Sequence, residues 1–379
     1  MREARRTVKK SIFGLALIIA VGAAGPASAA DWPMFLATPT HAPLVERGPA
    51  LPLSLKWKFD TQKPVYSSPV VYKGKVFAGS YDKSIYAFDT SGKLLWSFAT
   101  EGPIFSTPAV VNDVVYFGSK DSNVYALNAD TGKLLWKFKT NGEIISSPVV
   151  AEGNVYVAGM DIYLYALKTT DGSRVWRKKL TDYEKYSGIY AAPVYSDGNI
   201  YAAGKNGNVY SVVASSGGMN WSKPTRSAIY ASPVLSDGVL YVSSYDRILY
   251  AMNVKTGKFI WRKNLDNEMV YSTPVVTKDL IYIAFKNGQI RSYNKKDGSD
   301  ASSYKVPGEI NSTPAVTGDG YMFVGCMDSG IYAINLKTGS VAWKYSTGGA
   351  IHSSPAIADD VLYIGSEDGS VYAFAPAGK

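Results

Sequence analysis

A proline preceded by small residues returns along the chain at Pro69, Pro108, Pro148, Pro193, Pro233, Pro274, Pro314 and Pro355, at intervals of 39, 40, 45, 40, 41, 40 and 41 residues. A second series keeps the same register: Trp57, Trp96, Trp136, Trp176, Trp221, Trp261, Tyr304 and Trp343. Two independent landmarks at one period mean eight tandem units. A unit of roughly 40 residues cannot bury its own apolar face, so neighbouring units must stack to build a core. The repeat therefore outweighs the two or three domains that a 379-residue length would otherwise imply.

Inside each unit, apolar residues alternate or run in pieces of four to seven, split by turn signals, with no stretch of helical period. The second unit is typical. Strands are expected over 107–111, 114–119, 123–128 and 134–139, with turns at Asn112-Asp113, Asp121-Ser122 and Asp130-Thr131-Gly132-Lys133. Four short strands repeated radially are the signature of a β-propeller. The expected fold is all-β: an eight-bladed β-propeller of four-stranded blades spanning residues 53–379. The last unit stops after its third strand, 370–374, while 53–59 is an isolated fourth strand ahead of the first proline. The N-terminal strand is thus expected to complete the last blade, which closes the ring and removes an open sheet edge.

Ahead of the propeller, Arg2, Arg5, Arg6, Lys9 and Lys10 precede an apolar run from Ile12 to Ala24 and the small residues up to Ala30. This is the pattern of a signal peptide over residues 1–30, cleaved near Ala29 or Ala30. The paired arginines leave both the general secretory and the twin-arginine routes open. Residues 31–52 form a Pro-rich segment. The run is too short to span a bilayer, and no later stretch is long and apolar enough. No cysteine stands at the cleavage site to accept a lipid, so the expectation is a soluble periplasmic or secreted protein. Removal of the leader takes the net charge from +9 to +5. With lysines dispersed over turns, no nucleic-acid partner is expected.

The tryptophans are read as packing between blades. The residues Asp82, Asp121, Asp161, Asn206, Asp246, Asn287, Asp328 and Asp368 occupy equivalent hairpins and are read as turn formers. The unit S-[ST]-P-x-V, V-Y-x-G-[ST], V-Y-A-[LF], T-G-K-x-x-W-x-F resembles the pyrroloquinoline-quinone (PQQ) enzyme-type propeller repeat, as used in BamB-like outer-membrane assembly factors. The likeness covers residues 53–376, and it implies a propeller and protein partners in the cell envelope. Quinone dehydrogenases of this type add adjacent cysteines, calcium ligands and long excursions between strands. Here Cys326 is alone and the units leave no room for such excursions, so neither PQQ nor any other cofactor is expected. His41 and His352 are the only histidines, too few for a nucleophilic triad or a zinc site, and no metal is expected.

The candidate site is the channel mouth. Three residues before each proline stand Tyr66, Phe105, Ile145, Tyr190, Tyr230, Tyr271, Asn311 and His352, an aromatic collar at the entrance of the innermost strands. These rings either plug the axis or bind a sugar, peptide or extended segment. The longest unit carries its extra residues in 180–188, with Tyr183, Glu184 and Tyr186, on the collar's face by its place in the repeat. Arg291 stands where Tyr332 and Tyr372 stand in later units, and Tyr304 stands for a tryptophan; the sixth blade is expected to be looser, or its Arg to pair with an acid on a neighbouring blade. Three functions fit: a non-catalytic scaffold for envelope proteins, a carbohydrate or peptide binder using the collar, and a PQQ-dependent oxidoreductase, which would need a carboxylate and amide cluster that the collar lacks.

Overall fold

The computed structural model describes residues 31–41, 45–182, 188–266 and 268–378. Their 32 strands form eight separate four-stranded antiparallel sheets, and no helix occurs among the described residues. Each sheet is one blade of an eight-bladed β-propeller. Blade one comprises Val70–Tyr72, Lys75–Gly79, Ser84–Asp89 and Leu94–Ala99. The second unit gives Ala109–Val111, Val114–Gly118, Asn123–Asn128 and Leu134–Lys139, with the innermost strand two residues shorter than its apolar run. The ring closes as expected: Leu53–Asp60 pairs antiparallel with Ser370–Pro376, in a register from Leu53 opposite Pro376 to Asp60 opposite Ser370.

The Ser-Ser/Thr-Pro element joins the blades at the axis. Its first serine bonds within the blade: Ser146 Oγ donates to Ala158 O at 2.6 Å and accepts from Ala158 N at 3.1 Å, and Ser353 does the same with Gly365. The next residue bonds between blades, its hydroxyl accepting the backbone N–H of its counterpart one blade earlier. Ser68 N reaches Thr107 Oγ1, Thr107 N reaches Ser147 Oγ, Ser232 N reaches Thr273 Oγ1, Thr273 N reaches Thr313 Oγ1 and Thr313 N reaches Ser354 Oγ, at 3.0–3.2 Å. Ser354 N then returns to Ser68 Oγ at 2.8 Å across the closure. The relay is interrupted where blade four offers Ala192 in place of a hydroxyl, although Ala192 N itself donates to Ser232 Oγ. Backbone donors that would otherwise be buried unpaired are satisfied in this way.

Farther out, tryptophans on the fourth strands lock neighbouring blades. Trp96 sits opposite Ala87 across its own sheet, and Trp136 opposite Ala126; the small partner leaves room for an indole. In five of them the ring then lies on the glycine of the next blade's outer turn, and its Nε1 donates to a carbonyl there: Trp57 to Thr90, Trp96 to Ala129, Trp136 to Thr169, Trp176 to Ala214 and Trp221 to Val254, at 2.8–3.2 Å. Trp343 instead donates to Leu53 O, at the start of the closing strand, at 2.9 Å. The packing role expected for these residues is thus borne out. Tyr304 is not a register equivalent of tryptophan. Ser302 holds the matching position opposite Ser292, and Tyr304 pairs two places away with Ile290. Its hydroxyl still reaches Leu336 O, at 3.1 Å.

The sixth blade is tied down through Arg291, which pairs with Asp266 at 2.5 Å in the link leaving blade five. The same guanidinium donates to Gln289 and covers the Phe285 ring.

The turn glycine serves two ends at once. Gly172 has φ +71°, and a Cβ there would meet Trp136 Cδ2 at 2.6 Å; Gly339 has φ +74° with nothing within 4 Å. Both Gly→Ala changes carry the left-handed penalty of about 1 kcal/mol, but only Gly172→Ala also displaces an indole, adding about 1–3 kcal/mol. Urea unfolding is expected to rank Gly172→Ala as clearly less stable than Gly339→Ala. Equal losses would mean that the indole contact does not hold the blades.

Candidate functional site

The innermost strands start at one end of the channel, and there the collar residues stand half-buried, with Ile145 fully so. They form two arcs. Phe105 stacks on Tyr66 with centroids 5.6 Å apart and an interplanar angle of 21°, and His352 meets the same Tyr66 edge-on at 5.2 Å. On the other arc, Tyr190 meets Tyr230 at 5.5 Å and Tyr230 meets Tyr271 at 5.5 Å. Asn311 belongs to blade seven, beside the second arc; its Oδ1 is buried without a hydrogen-bond partner. The structure brings seven of the sequence-derived candidates, Tyr66, Phe105, Tyr190, Tyr230, Tyr271, Asn311 and His352, to one face. Tyr183, Glu184 and Tyr186 lie outside the described residues. The roots of their loop are on the same face, since Lys205 N donates to Gly188 O at 3.3 Å and Leu180, Thr181, Gly188 and Ile189 border a small void beside Lys205.

A second ring surrounds the collar and was missed in the sequence. It consists of the residues immediately before the hairpin Asp or Asn: Tyr81, Lys120, Met160, Lys205, Tyr245, Lys286, Met327 and Glu367. Each donates its backbone N–H to the carbonyl two residues ahead of a collar position, as Tyr81 does to Pro64, Lys286 to Met269 and Glu367 to Ala350. The Asp or Asn beside it fixes the hairpin, as expected of a turn former. Asp121 Oδ1 accepts Asn123 N at 2.9 Å, while Oδ2 accepts the Tyr125 hydroxyl at 2.7 Å and Glu101 N at 3.1 Å. The signal was one residue away from positions already singled out.

The two rings interlock. Tyr81 packs edge-on against Tyr66 at 4.7 Å; Tyr245 lies 5.1 Å from Tyr230 and 5.2 Å from Tyr271, and its hydroxyl donates to that of Tyr271. Lys205 Nζ lies 5.8 Å and 6.0 Å from the Tyr190 and Tyr230 centroids, and Lys286 Nζ 5.3 Å from that of Tyr271. Carboxylates on this face are matched: Glu143 with Lys120 at 3.5 Å, Glu309 with Lys286 at 3.7 Å and Glu367 with His352 at 3.0 Å. Burial, then its bond to Glu367, pushes the Tyr66 hydroxyl up to about 12. Burial holds His352 below the usual imidazole value although Glu367 opposes this. The mouth therefore offers aromatic faces, phenolic hydroxyls and paired charges. The lone thiol, Cys326, is buried and pushed up by that burial, so it is not a poised nucleophile.

The opposite end of the channel is covered by the Pro-rich segment. Trp32 exchanges two backbone hydrogen bonds with Val71, Val110 N donates to Pro33 O, Tyr195 N to Pro39 O, Leu235 N to Thr40 O and Gly318 N to Val45 O. Blades one, two, four, five and seven are thus strapped together. His41 is buried, its Nδ1 3.0 Å from Pro233 O and its ring 5.3 Å from Phe35.

These features define the class: a closed eight-bladed propeller whose channel is strapped at one end and aromatic at the other. The family model described as outer membrane protein assembly factor BamB matches over residues 54–106, 85–189, 161–313 and 286–378, and the chain belongs to that family. Solved structures with this fold include BamB from Moraxella catarrhalis, 17% identical, with a TM-score of 0.76 over 86% of this chain and 100% of that one. A europium-containing methanol dehydrogenase is 15% identical, with a TM-score of 0.79 over 92% and 98%. The quinohemoprotein alcohol dehydrogenase from Comamonas testosteroni is 16% identical, with a TM-score of 0.81 over 93% and 81%. No curated protein matches the chain by sequence. Among the described residues no helix is long and apolar enough to cross a membrane.

Desolvation lowers the His41 pKa to about 4, against its hydrogen bond to Pro233. The folded value lies below that of the unfolded chain, so acid protonates the unfolded state first. Stability from this site is complete above about pH 6.5 and declines toward pH 4, by about 3 kcal/mol in all. Between pH 7 and pH 4.5 the parent should lose more urea resistance than His41→Gln; superimposed pH profiles would place His41 in solvent.

Proposed function

We propose that this protein is a non-catalytic, exported propeller that works in the periplasm or outside the cell as a scaffold, holding a protein partner of the cell envelope on the mouth face. Outer-membrane protein assembly is the process that the family description favours. The observation that carries the reading is the pair of interlocked rings at the mouth, with Tyr190, Tyr230, Tyr245 and Tyr271 half-exposed beside Lys205 and Lys286. Tyrosines of this kind supply large rigid contact area at low entropic cost and keep a polar handle. The proposal extends to Tyr183, Glu184 and Tyr186 of the 180–188 loop, whose roots Leu180 and Gly188 lie on this face.

The residues at the mouth do not fit a quinone with its metal. Glu143 and Glu309 are each matched to a lysine, Glu367 is engaged by His352 and Tyr66, and the described residues include no cluster of three His, Cys, Asp or Glu placed to hold an ion. A second reading is a carbohydrate or peptide ligand, favoured by the tyrosine arc with its hydroxyls.

The test is affinity capture from envelope extract, with mass spectrometry, using the parent and the triple variant Tyr190→Ala, Tyr230→Ala, Tyr271→Ala. Recovery of outer-membrane assembly proteins by the parent, lost in the variant while Tm changes by only a few degrees, is the expected result. A parent that recovers no such protein sinks the scaffold reading, and binding of oligosaccharide or peptide abolished by the same variant would establish the second.

A further inference from the structure

Beyond the mouth, the structure points to a second binding site on the outer wall. Near the strapped end, blades five and six part to leave an open cleft of about 300 Å³. Its apolar side is made by Val239, Tyr241, Ile260 and Trp261, of which Ile260 is 51% exposed.

This is the one blade junction where the tryptophan latch is undone. Six other tryptophans and Tyr304 each donate to a carbonyl of the next blade, whereas Trp261 Nε1 has no such bond among the described residues. Its indole is also slid along the turn. A Cβ on Gly298 would first meet Cε3 and Cζ3 of Trp261, whereas at Gly132 and Gly172 it would first meet Cδ2 and Cε3. The turn residue that differs is Lys295, which stands where other latches have Thr90, Ala129, Thr169, Ala214, Val254 and Leu336. Its Nζ reaches back to Asp237 at 2.5 Å and Ser236 at 2.8 Å. The indole thus lines an open cleft with its N–H bonded to no protein acceptor, and a carboxylate oxygen would make a stronger hydrogen bond to it than a neutral one.

The rim agrees with that chemistry. Lys278, Lys295 and Lys296 line it with Asp237 and Asp279, and Lys295 neutralises Asp237, which leaves one positive charge in excess. We propose that this cleft binds a small apolar group carrying a single carboxylate, the apolar part against Ile260 and Trp261 and the carboxylate near Lys278, Lys296 and the indole N–H. The cleft is of the size that holds a small organic ligand. The site is independent of the mouth and of the function assigned there.

Calorimetric titration of the purified protein with 1-naphthaleneacetate, and with the neutral 1-naphthaleneethanol, tests this. The expected result is binding of the acid, at least tenfold weaker binding of the alcohol, and at least a tenfold loss of acid binding in the double variant Lys278→Glu, Lys296→Glu. Both lysines are exposed, and an unchanged Tm for that variant separates loss of the site from loss of the fold. The triple tyrosine variant of the mouth should bind the acid as the parent does. No binding by the parent, equal binding of acid and alcohol, an unaffected double variant, or loss in the mouth variant would each overturn the proposal.

Discussion

Everything in this molecule depends on how one blade grips the next. A four-stranded sheet with two apolar faces has no stable existence alone, and a propeller succeeds only if eight sheets meet at a fixed angle. Two contacts set that angle. At the axis a hydroxyl from one blade accepts an amide from its neighbour, as Thr313 accepts Thr273 N. Farther out an indole rests on a glycine and bonds the carbonyl beside it, as Trp136 does with Gly172 and Thr169. Because the last contacts, Ser354 to Ser68 and Trp343 to Leu53, join the two ends of the chain, the ring is closed by the same chemistry that builds it.

That rigidity is what makes the mouth a site. The collar residues lie just before the prolines that begin the innermost strands, so the grip at the axis also sets the spacing of Tyr190, Tyr230 and Tyr271. The outer ring hangs from the same frame through its backbone bonds to the collar strands. Where the grip is altered, a different feature arises. The hydroxyl relay lapses at Ala192, beside the roots of the longest loop, and the indole latch lapses at Trp261, where the wall opens into a lysine-rimmed cleft.

Much of this was legible because the repeat is written in residue types with single structural uses. The small residues before proline, the tryptophans between blades and the Asp-Thr-Gly-Lys turn of the second unit all read out correctly as blade elements, and the Asp or Asn of each hairpin proved to be a turn former. The less legible part concerns register and reach. Tyr304 takes the latch from a place two residues beyond the tryptophan position, which spacing alone does not disclose. The acid that pairs with Arg291, namely Asp266, belongs to the link leaving the preceding blade and carries no mark of its partner.

The sequence by itself determined the number of blades, their strand content and the closure by the N-terminal strand, because each follows from periodic, local preferences repeated eight times. It also placed the collar residues at one end of the channel, since a fixed offset from proline is a fixed height along the axis. Only the tertiary structure decided that the collar splits into two arcs, that a second ring of Tyr, Lys, Met and Glu encloses it, and that the segment around His41 straps the far end. Those features are contacts between positions 15 or more residues apart, within a blade and between blades, set by how the strands and sheets are placed, and no local preference along the chain encodes them.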